Sequence, residues 1–193
     1  CRGIPGICNA IEAGVDHIEH ACFELPEFVL QFDPVIADRI AASGIYVTPT
    51  IQLYRDMVND LIEKQEIAPL SMEEEKKLNY MSRCVEEKLR SLQGMLDAGV
   101  VCVAGDDAGL PLTPFDRLWQ ELDAMEAGGM TAMQTMVAAT KTAATAMGRL
   151  DEIGSIAVGK QADIIAVESD PCRDITALAN PSFIMRAGRI YRL

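Results

Sequence analysis

The 193-residue sequence predicts an α/β protein in which parallel strands are covered by helices. The main reason for this prediction is a sequence pattern that occurs three times. Segments 12–20, 42–50 and 97–105 each pass from a helical pattern, through a glycine, into a short apolar and partly β-branched run. A glycine suits the left-handed position that follows a helix, and unbroken apolar runs are typical of strands buried on both faces. Three helix-to-strand units in succession favour parallel strands with helices outside them.

Helix start signals lie between these runs. Asp33 followed by Pro34 predicts a capped helix start, and capping-box pairs begin at Ser71 and Thr131. Apolar residues then recur at three- and four-residue steps up to Ala98, which predicts one long amphipathic helix with a single buried stripe. The stripe consists of Leu78, Met81, Val85, Leu89, Leu92 and Leu96.

A different pattern begins at Asp151. The remaining sequence predicts two pairs of short strands, one around a Gly159-Lys160 turn and one around Gly188, with no long helix between them. We therefore divide the chain into an α/β layer over residues 1–150 and a β-module over residues 151–193.

Composition limits the classes of partner. Seventeen basic and 29 acidic residues leave a net charge of −12, which opposes binding to nucleic acid and to anionic membranes. No apolar stretch approaches the roughly 20 residues of a membrane span, and no signal peptide is apparent. The six cysteines lack the spacing of a metal or disulfide motif. We expect a soluble, cytoplasmic protein with reduced thiols and a small-molecule partner. Formation of a homo-oligomer stays open.

Two strand ends carry residues suited to metal chemistry. In a parallel barrel, reactive side chains gather at the C-terminal ends of the strands. Strand alternation predicts that Asp107 faces this end while Asp106 points toward the helices. The same alternation places His20 at the end of its strand, on the face opposite His17 and Glu19. A neutral imidazole and a carboxylate suit zinc or a similar divalent ion. The simpler alternative is that the adjacent acids only solvate a loop.

Five segments together resemble the C-terminal half of an amidohydrolase-superfamily enzyme, of the imidazolonepropionase-related and Xaa-Pro-dipeptidase-like branch. They are AGVDHIEHA, GIYVTPT, VAGDDAG, MVAATKTAATAMGRLDEIGSIAVGKQADIIAVESDPCRDI and IMRAGRIYRL, and the resemblance that they carry extends over nearly the whole chain. The resemblance implies that residues 1–150 are the C-terminal part of a (β/α)8 TIM-like barrel. It also implies that residues 151–193 are strands of a small β-sandwich domain.

The resemblance also assigns roles to single residues. His20 corresponds to the metal-binding histidine at the end of the sixth strand of the family's barrel. Asp107 corresponds to the aspartate after the eighth strand, which contacts the metal and takes the proton of the attacking water. Asp106 stands where the family usually has threonine, so it adds a negative charge beside that aspartate.

The ligands that the family takes from its first, fourth and fifth strands have no counterpart here. The resemblance implies one or two zinc or similar divalent ions in the intact enzyme. We therefore expect that the chain begins just after the fifth strand, and that these 193 residues alone are inactive because two protein ligands are too few for a catalytic zinc site.

The function expected of the intact enzyme is hydrolysis of a C–N bond in an amide, a cyclic amide or a dipeptide by metal-activated water. Thr50 and the loop at residues 110–112 are candidate substrate contacts, although either fits a packing role equally well. Two alternatives stay open. One is a non-catalytic binding or scaffold protein on the same fold. The other is a metal-free isomerase or lyase, for which no second acid or lysine is apparent at a strand end.

Overall fold

The computed structural model, which describes residues 1–192, begins with alternating helices and short strands and ends in a small sheet. The α-helices are α1 (Ile4–Ala13), α2 (Pro34–Ser43), α3 (Gln52–Ile67), α4 (Met72–Asp97), α5 (Leu118–Ala127), α6 (Ala132–Val137) and α7 (Ala143–Ala146). The strands are β1 (His17–Glu19), β2 (Glu24–Leu25), β3 (Val29–Leu30), β4 (Tyr46–Thr48), β5 (Ile164–Ala166), β6 (Phe183–Arg186) and β7 (Arg189–Arg192).

Parallel pairing is confirmed for the first two predicted strands. β1 and β4 run parallel, with Ile18 opposite Val47. The third run pairs with β4 at a single parallel bridge, between Val47 and Cys102. Val47 donates to the carbonyl of Val101 over 3.1 Å and accepts from the amide of Val103 over 2.8 Å. β4 therefore lies in the middle of three parallel segments.

The predicted helix boundaries are confirmed where a local signal defined them. Gly14, Gly44 and Gly99 all have positive φ angles, of 67°, 70° and 84°. The Asp33 carboxylate accepts from the second and third residues of its helix, Val35 at 2.9 Å and Ile36 at 3.2 Å. Both capping boxes, at the starts of α4 and α6, are present with their reciprocal hydrogen bonds.

The long helix α4 forms as predicted, but its most buried face is rotated from the predicted stripe. The buried residues are Cys84, Lys88, Ser91, Leu92 and Met95. The predicted apolar residues flank this face and are mostly half-buried, with Leu92 shared by both sets. The charged side chain of Lys88 thus lies inside the protein. No helix among residues 1–192 is both long enough and apolar enough to cross a membrane.

The main hydrophobic core lies between the parallel strands and the helices. Ile18 and Val47 supply its strand side, and Ile40, Leu92 and Met125 come from α2, α4 and α5. The expectation that each strand is buried on both faces is wrong for β1. Its Ile18 is buried, but Glu19 is exposed and His17 only half-buried, so the second face of the strand is open.

The C-terminal segment contains a three-stranded antiparallel sheet in the order β5-β6-β7. The predicted hairpin around Gly188 is confirmed, with positive φ at Ala187 and Gly188 as a tight turn requires. The predicted hairpin around Lys160 is wrong, because only its second half, β5, is a strand. The ammonium of Lys160 instead binds the carbonyl of Leu150 and the hydroxyl of Ser155, which holds the first half against the end of the preceding segment.

Two further contacts were not predicted. β2 and β3 form a short antiparallel hairpin directly after the first parallel strand. A 3-10 turn at Ile175–Ala179 inserts Ile175 into the main core, so the C-terminal segment is packed against the helical layer. All six cysteines lie in the described residues and are free, which agrees with the prediction of reduced thiols.

Removal of the α2 cap tests how strongly this helix depends on its start signal. We expect Asp33→Ala to lower the free energy of unfolding by about 1 kcal/mol, because two amides lose their acceptor. Chemical denaturation followed by circular dichroism measures this loss. Asp38→Ala, an exposed position on the same helix, is the matched control. Equal losses in both variants would contradict the capping role.

Candidate active site

An open cavity of about 640 Å³ lies at the C-terminal ends of the parallel segments. Its polar wall combines residues from all three segments: His17, Glu19, His20, Thr48, Thr50, Asp106 and Asp107. Its apolar wall consists of Val103, Ala104, Ala143, Ala146 and Met147. The structure therefore brings His20 and Asp107, the two predicted metal ligands, to the same cavity.

His20 reaches the cavity by a different route from the one predicted. Strand alternation placed it on the face opposite His17 and Glu19, yet all three residues line the cavity. The reason is its backbone: His20 has a φ of 74°, so the chain leaves the extended conformation at this residue and alternation stops. Its amide still donates to the Thr48 carbonyl over 2.8 Å, which ties the turn to β4.

The contacts of the Thr50 hydroxyl favour one tautomer of His20. The Thr50 hydroxyl donates its one proton to the carbonyl of Pro49 over 2.8 Å. The same oxygen lies 2.8 Å from Nδ1 of His20, so it can only accept there. When both contacts are hydrogen bonds, the neutral ring carries its proton on Nδ1, and Nε2 keeps a lone pair that can bind a metal ion.

The surroundings of His20 also favour its neutral form. Burial lowers the pKa of His20 below its ordinary value, and the positive charge of Lys88 lowers it further, while Asp107 acts in the opposite direction. A neutral imidazole at neutral pH is the form that ligates metals.

The two adjacent acids are not separated as cleanly as alternation predicted. Asp107 lines the cavity as expected, but Asp106 lines it too. Asp107 has a φ of 57°, so the chain turns there rather than continuing as a strand. Burial raises the pKa of Asp56 and of Glu121, and the negative charge of Asp106 raises both further. The cavity therefore has two neighbouring carboxylates.

This chain supplies two of the donors of the predicted metal site. His20 Nε2 and the Asp107 carboxylate suit zinc in kind. Among residues 1–192, no group of three or more His, Cys, Asp or Glu side chains is arranged to hold a metal ion. The residues thus fit part of a zinc site, because a catalytic zinc needs about three protein ligands.

The predicted substrate contacts differ in outcome. Thr50 lines the cavity and holds His20, so it has a defined place in the site. The loop at residues 110–112 does not line the cavity. It closes on itself instead, with the amide of Gly109 donating to Thr113 over 2.8 Å and the amide of Thr113 donating to Leu110 over 3.1 Å.

The helical part of the apolar wall, Ala143, Ala146 and Met147, is connected to the third parallel segment through an irregular helical turn. Residues Ala138–Thr142 form a π-helical turn between α6 and α7. Such a turn changes the helical bonding pattern, and the Ala138 carbonyl accepts from the amide of Ala104 over 3.3 Å. Ala143 and Met147, which follow this turn, line the cavity.

Two buried charged residues behind the cavity were missed by the sequence analysis. Glu121 is fully buried on α5, and its two carboxylate oxygens accept from the amides of Ile51 and Gln52 over 3.0 and 2.6 Å. Lys88 is 4% exposed, and its ammonium lies 3.2 Å from the carbonyl oxygen of His20.

Helical spacing was the available signal for both residues. Glu121 follows Leu118 by three positions and precedes Met125 by four, so it shares their face. Lys88 follows Cys84 by four positions and precedes Leu92 by four. A charge on the apolar face of an amphipathic helix indicates a specific buried partner.

A family model described as "Amidohydrolase family" matches residues 2–193. Ochratoxinase from Aspergillus niger is 26% identical over 199 aligned residues, which cover 99% of this chain and 37% of the relative.

Two solved structures resemble the fold over nearly the whole chain. A Xaa-Pro dipeptidase with methionine bound in its active site matches with a TM-score of 0.78 and 30% identity, covering 100% of this chain and 43% of that one. A putative prolidase from Bifidobacterium longum matches with a TM-score of 0.78 and 24% identity, covering 99% and 45%. The chain therefore spans less than half the length of each of these relatives.

The buried carboxylate predicts a specific pH dependence of stability. Burial raises the pKa of Glu121 from 4.5 to about 7, although the amides of Gln52 and Ile51 and the charge of Lys88 oppose the shift. Since the folded pKa is the higher one, ionisation favours the unfolded chain. We expect Glu121 to lower the free energy of unfolding by roughly 3 kcal/mol as pH rises from about 4.5 to about 7, with no further loss above that window.

Glu121→Gln should remove this component of the pH dependence. Urea denaturation at several pH values, with the variant curve subtracted from the wild-type curve, isolates it from other titrating groups. Glu126→Gln, an exposed position on the same helix, is the matched control and should keep the wild-type slope. An unchanged slope in Glu121→Gln would show that Glu121 titrates at its ordinary pKa.

Proposed function

Because the chain belongs to the amidohydrolase family, we propose that it supplies part of the active site of a hydrolase that cleaves a C–N bond in an amide, a cyclic amide or a dipeptide. One observation carries the proposal: His20 and Asp107, which follow different parallel segments, line the same open cavity. The solved structure of a Xaa-Pro dipeptidase at 30% identity supports the dipeptide as one of these substrates.

The proposal includes an arrangement for the chain as a whole. Residues 1–150 would be the C-terminal part of a (β/α)8 TIM-like barrel, and residues 151–193 would be strands of a small β-sandwich domain. Three adjacent parallel segments with helices outside them support the first assignment. The separate antiparallel sheet near the C-terminus supports the second.

His20 Nε2 and the Asp107 carboxylate would hold a divalent metal ion, for which zinc suits these donors best. Such an ion, when bound, activates a water and polarises the scissile carbonyl. Two donors are too few, so the proposal requires at least one more protein ligand from outside residues 1–192.

The residues of this chain have distinct tasks in the proposed reaction. Asp107 takes the proton of the attacking water and delivers it to the leaving nitrogen. Thr50 keeps the His20 proton on Nδ1 and so keeps Nε2 free for the metal. The apolar wall at Ala143 and Met147 suits an uncharged part of a small substrate. The reduced cysteines support a cytoplasmic location.

The role of His20 as a ligand can be tested by metal content. In the polypeptide encoded by the whole reading frame, we expect His20→Ala to lower bound metal and hydrolysis together. His17→Ala is the control for metal content, because Nε2 of His17 is engaged by the Thr48 hydroxyl at 2.7 Å. Plasma mass spectrometry measures the metal. Full metal content in His20→Ala would exclude this residue as a ligand.

The adjacent acids should differ in their effect on turnover. We expect Asp107→Asn to lower kcat by roughly 10²- to 10⁴-fold, the range for a positioned acid–base group. Asp106→Thr should retain or improve turnover, since this acid has no assigned proton transfer. Steady-state kinetics on amide and dipeptide substrates compares the kcat values of the two variants with that of the wild type. Equal losses would contradict the assignment, and metal binding without hydrolysis of any C–N substrate would favour the binding or scaffold alternative.

A further inference from the structure

Three residues of the polar wall, His20, Thr50 and Asp107, have unfavourable backbone conformations, and the side chains of the first two contact each other. His20 has a φ of 74° and Thr50 a φ of 50°. The left-handed region costs a non-glycine residue roughly 1–2 kcal/mol, and a β-branched residue such as Thr50 is seldom found there. Such conformations persist only where the surrounding structure holds them. His20 and Thr50 are each held by a buried charged side chain from a different helix.

Lys88 of α4 holds the first strained residue. Its ammonium lies 3.2 Å from the carbonyl oxygen of His20, 3.5 Å from the sulfur of Cys22 and 5.2 Å from the centre of the Tyr54 ring. The side chain is buried and does not line the cavity, so it has no direct access to a substrate. Its polar contact with the site runs through the backbone of His20.

Glu121 of α5 holds the second strained residue, Thr50. Its carboxylate accepts from the amides of Ile51 and Gln52, the two residues that follow Thr50. A bidentate contact to successive amides fixes the plane of the turn and leaves both carboxylate oxygens occupied. Glu121 is also absent from the lining of the cavity. The hydroxyl of Thr50 in turn lies 2.8 Å from Nδ1 of the His20 imidazole.

We propose that Lys88 and Glu121 are positioning residues that together fix the orientation and tautomer of His20, Lys88 through its carbonyl and Glu121 through Thr50. This inference rests on the proposed function, in which His20 Nε2 is a metal ligand. Packing alone would not call for these side chains, because an ionisable group in the interior is costly unless its contacts use its charge. Here the ionisable end of each side chain contacts the backbone beside a strained residue of the site.

The small number of histidines makes the inference directly measurable. The chain contains two, so labelling with ¹⁵N-histidine gives two ring systems, and His17→Gln assigns them. The nitrogen chemical shifts of a neutral ring show which nitrogen carries the proton. In the 193-residue chain at neutral pH we expect His20 to be protonated at Nδ1 alone. A mixed or Nε2-protonated ring in the wild-type chain overturns the inference without any variant.

Lys88→Met and Glu121→Gln test the two holding residues. Each keeps nearly the shape of the side chain and removes its charge, and we expect each to shift His20 toward a mixture of tautomers while His17 stays unchanged. Lys160→Met is the matched control, because it also removes an ammonium bound to backbone carbonyls, at a site outside the lining of the cavity. Folding of each variant is checked by its amide spectrum. Folded variants in which His20 keeps the wild-type tautomer overturn the inference.

Zinc titration separates this inference from the proposed function. With Zn²⁺ alone as the probe, we expect weak binding in the wild-type chain, seen as a small change in the nitrogen chemical shift of His20 Nε2. In Lys88→Met or Glu121→Gln we expect the affinity for Zn²⁺ to fall by roughly 10- to 100-fold, as is typical when a residue that orients a metal ligand is replaced. Unaltered affinity in both variants counts against positioning. If the tautomers change as expected but the whole-length polypeptide hydrolyses no amide, the proposed function fails and the positioning of His20 stands.

Discussion

Two backbone amides at the start of α3 donate to one buried carboxylate, and the geometry of the cavity depends on this contact. Glu121 accepts from Ile51 and Gln52, which keeps the chain turned at Thr50. Thr50 in turn holds the ring of His20. Glu121 belongs to α5, which follows the loop after Asp107, so the same helix links the two sides of the site. A substrate in the cavity would contact Thr50 and His20 but not Glu121, which does not line the cavity.

The electrostatics of the site follow from how its charges are buried. Glu19, Asp106 and Asp107 place three carboxylates on the cavity wall, and a site of this sign attracts a cation. Behind the wall, Lys88 and Glu121 moderate each other, since the positive charge lowers the pKa of Glu121 and the negative charge raises that of Lys88. Burial is nevertheless the largest cause of both shifts, so the ionisation of these two groups depends on the packing around them.

The errors in the sequence analysis share a physical origin. Strand alternation is valid only while the backbone is extended, and it failed at His20, where φ is positive, and at Asp106, which directly precedes the positive φ of Asp107. The predicted hairpin around Lys160 failed because this side chain binds carbonyls of the preceding segment, a contact between residues ten positions apart. In each case the local pattern was read correctly, but a turn or a more distant partner decided the outcome.

Local signals in the sequence determined the helix boundaries, because a cap such as Asp33 or a glycine such as Gly44 acts on amides and angles within one turn. The residue types also determined the candidate ligands, since imidazole and carboxylate have an intrinsic affinity for divalent ions. Only the tertiary structure decided that His17 and Glu19 share the cavity with His20, and that Lys88 and Glu121 lie buried behind it. These outcomes depend on which helix packs behind each strand end, and the energy of a buried charge depends on partners that are far away in the sequence.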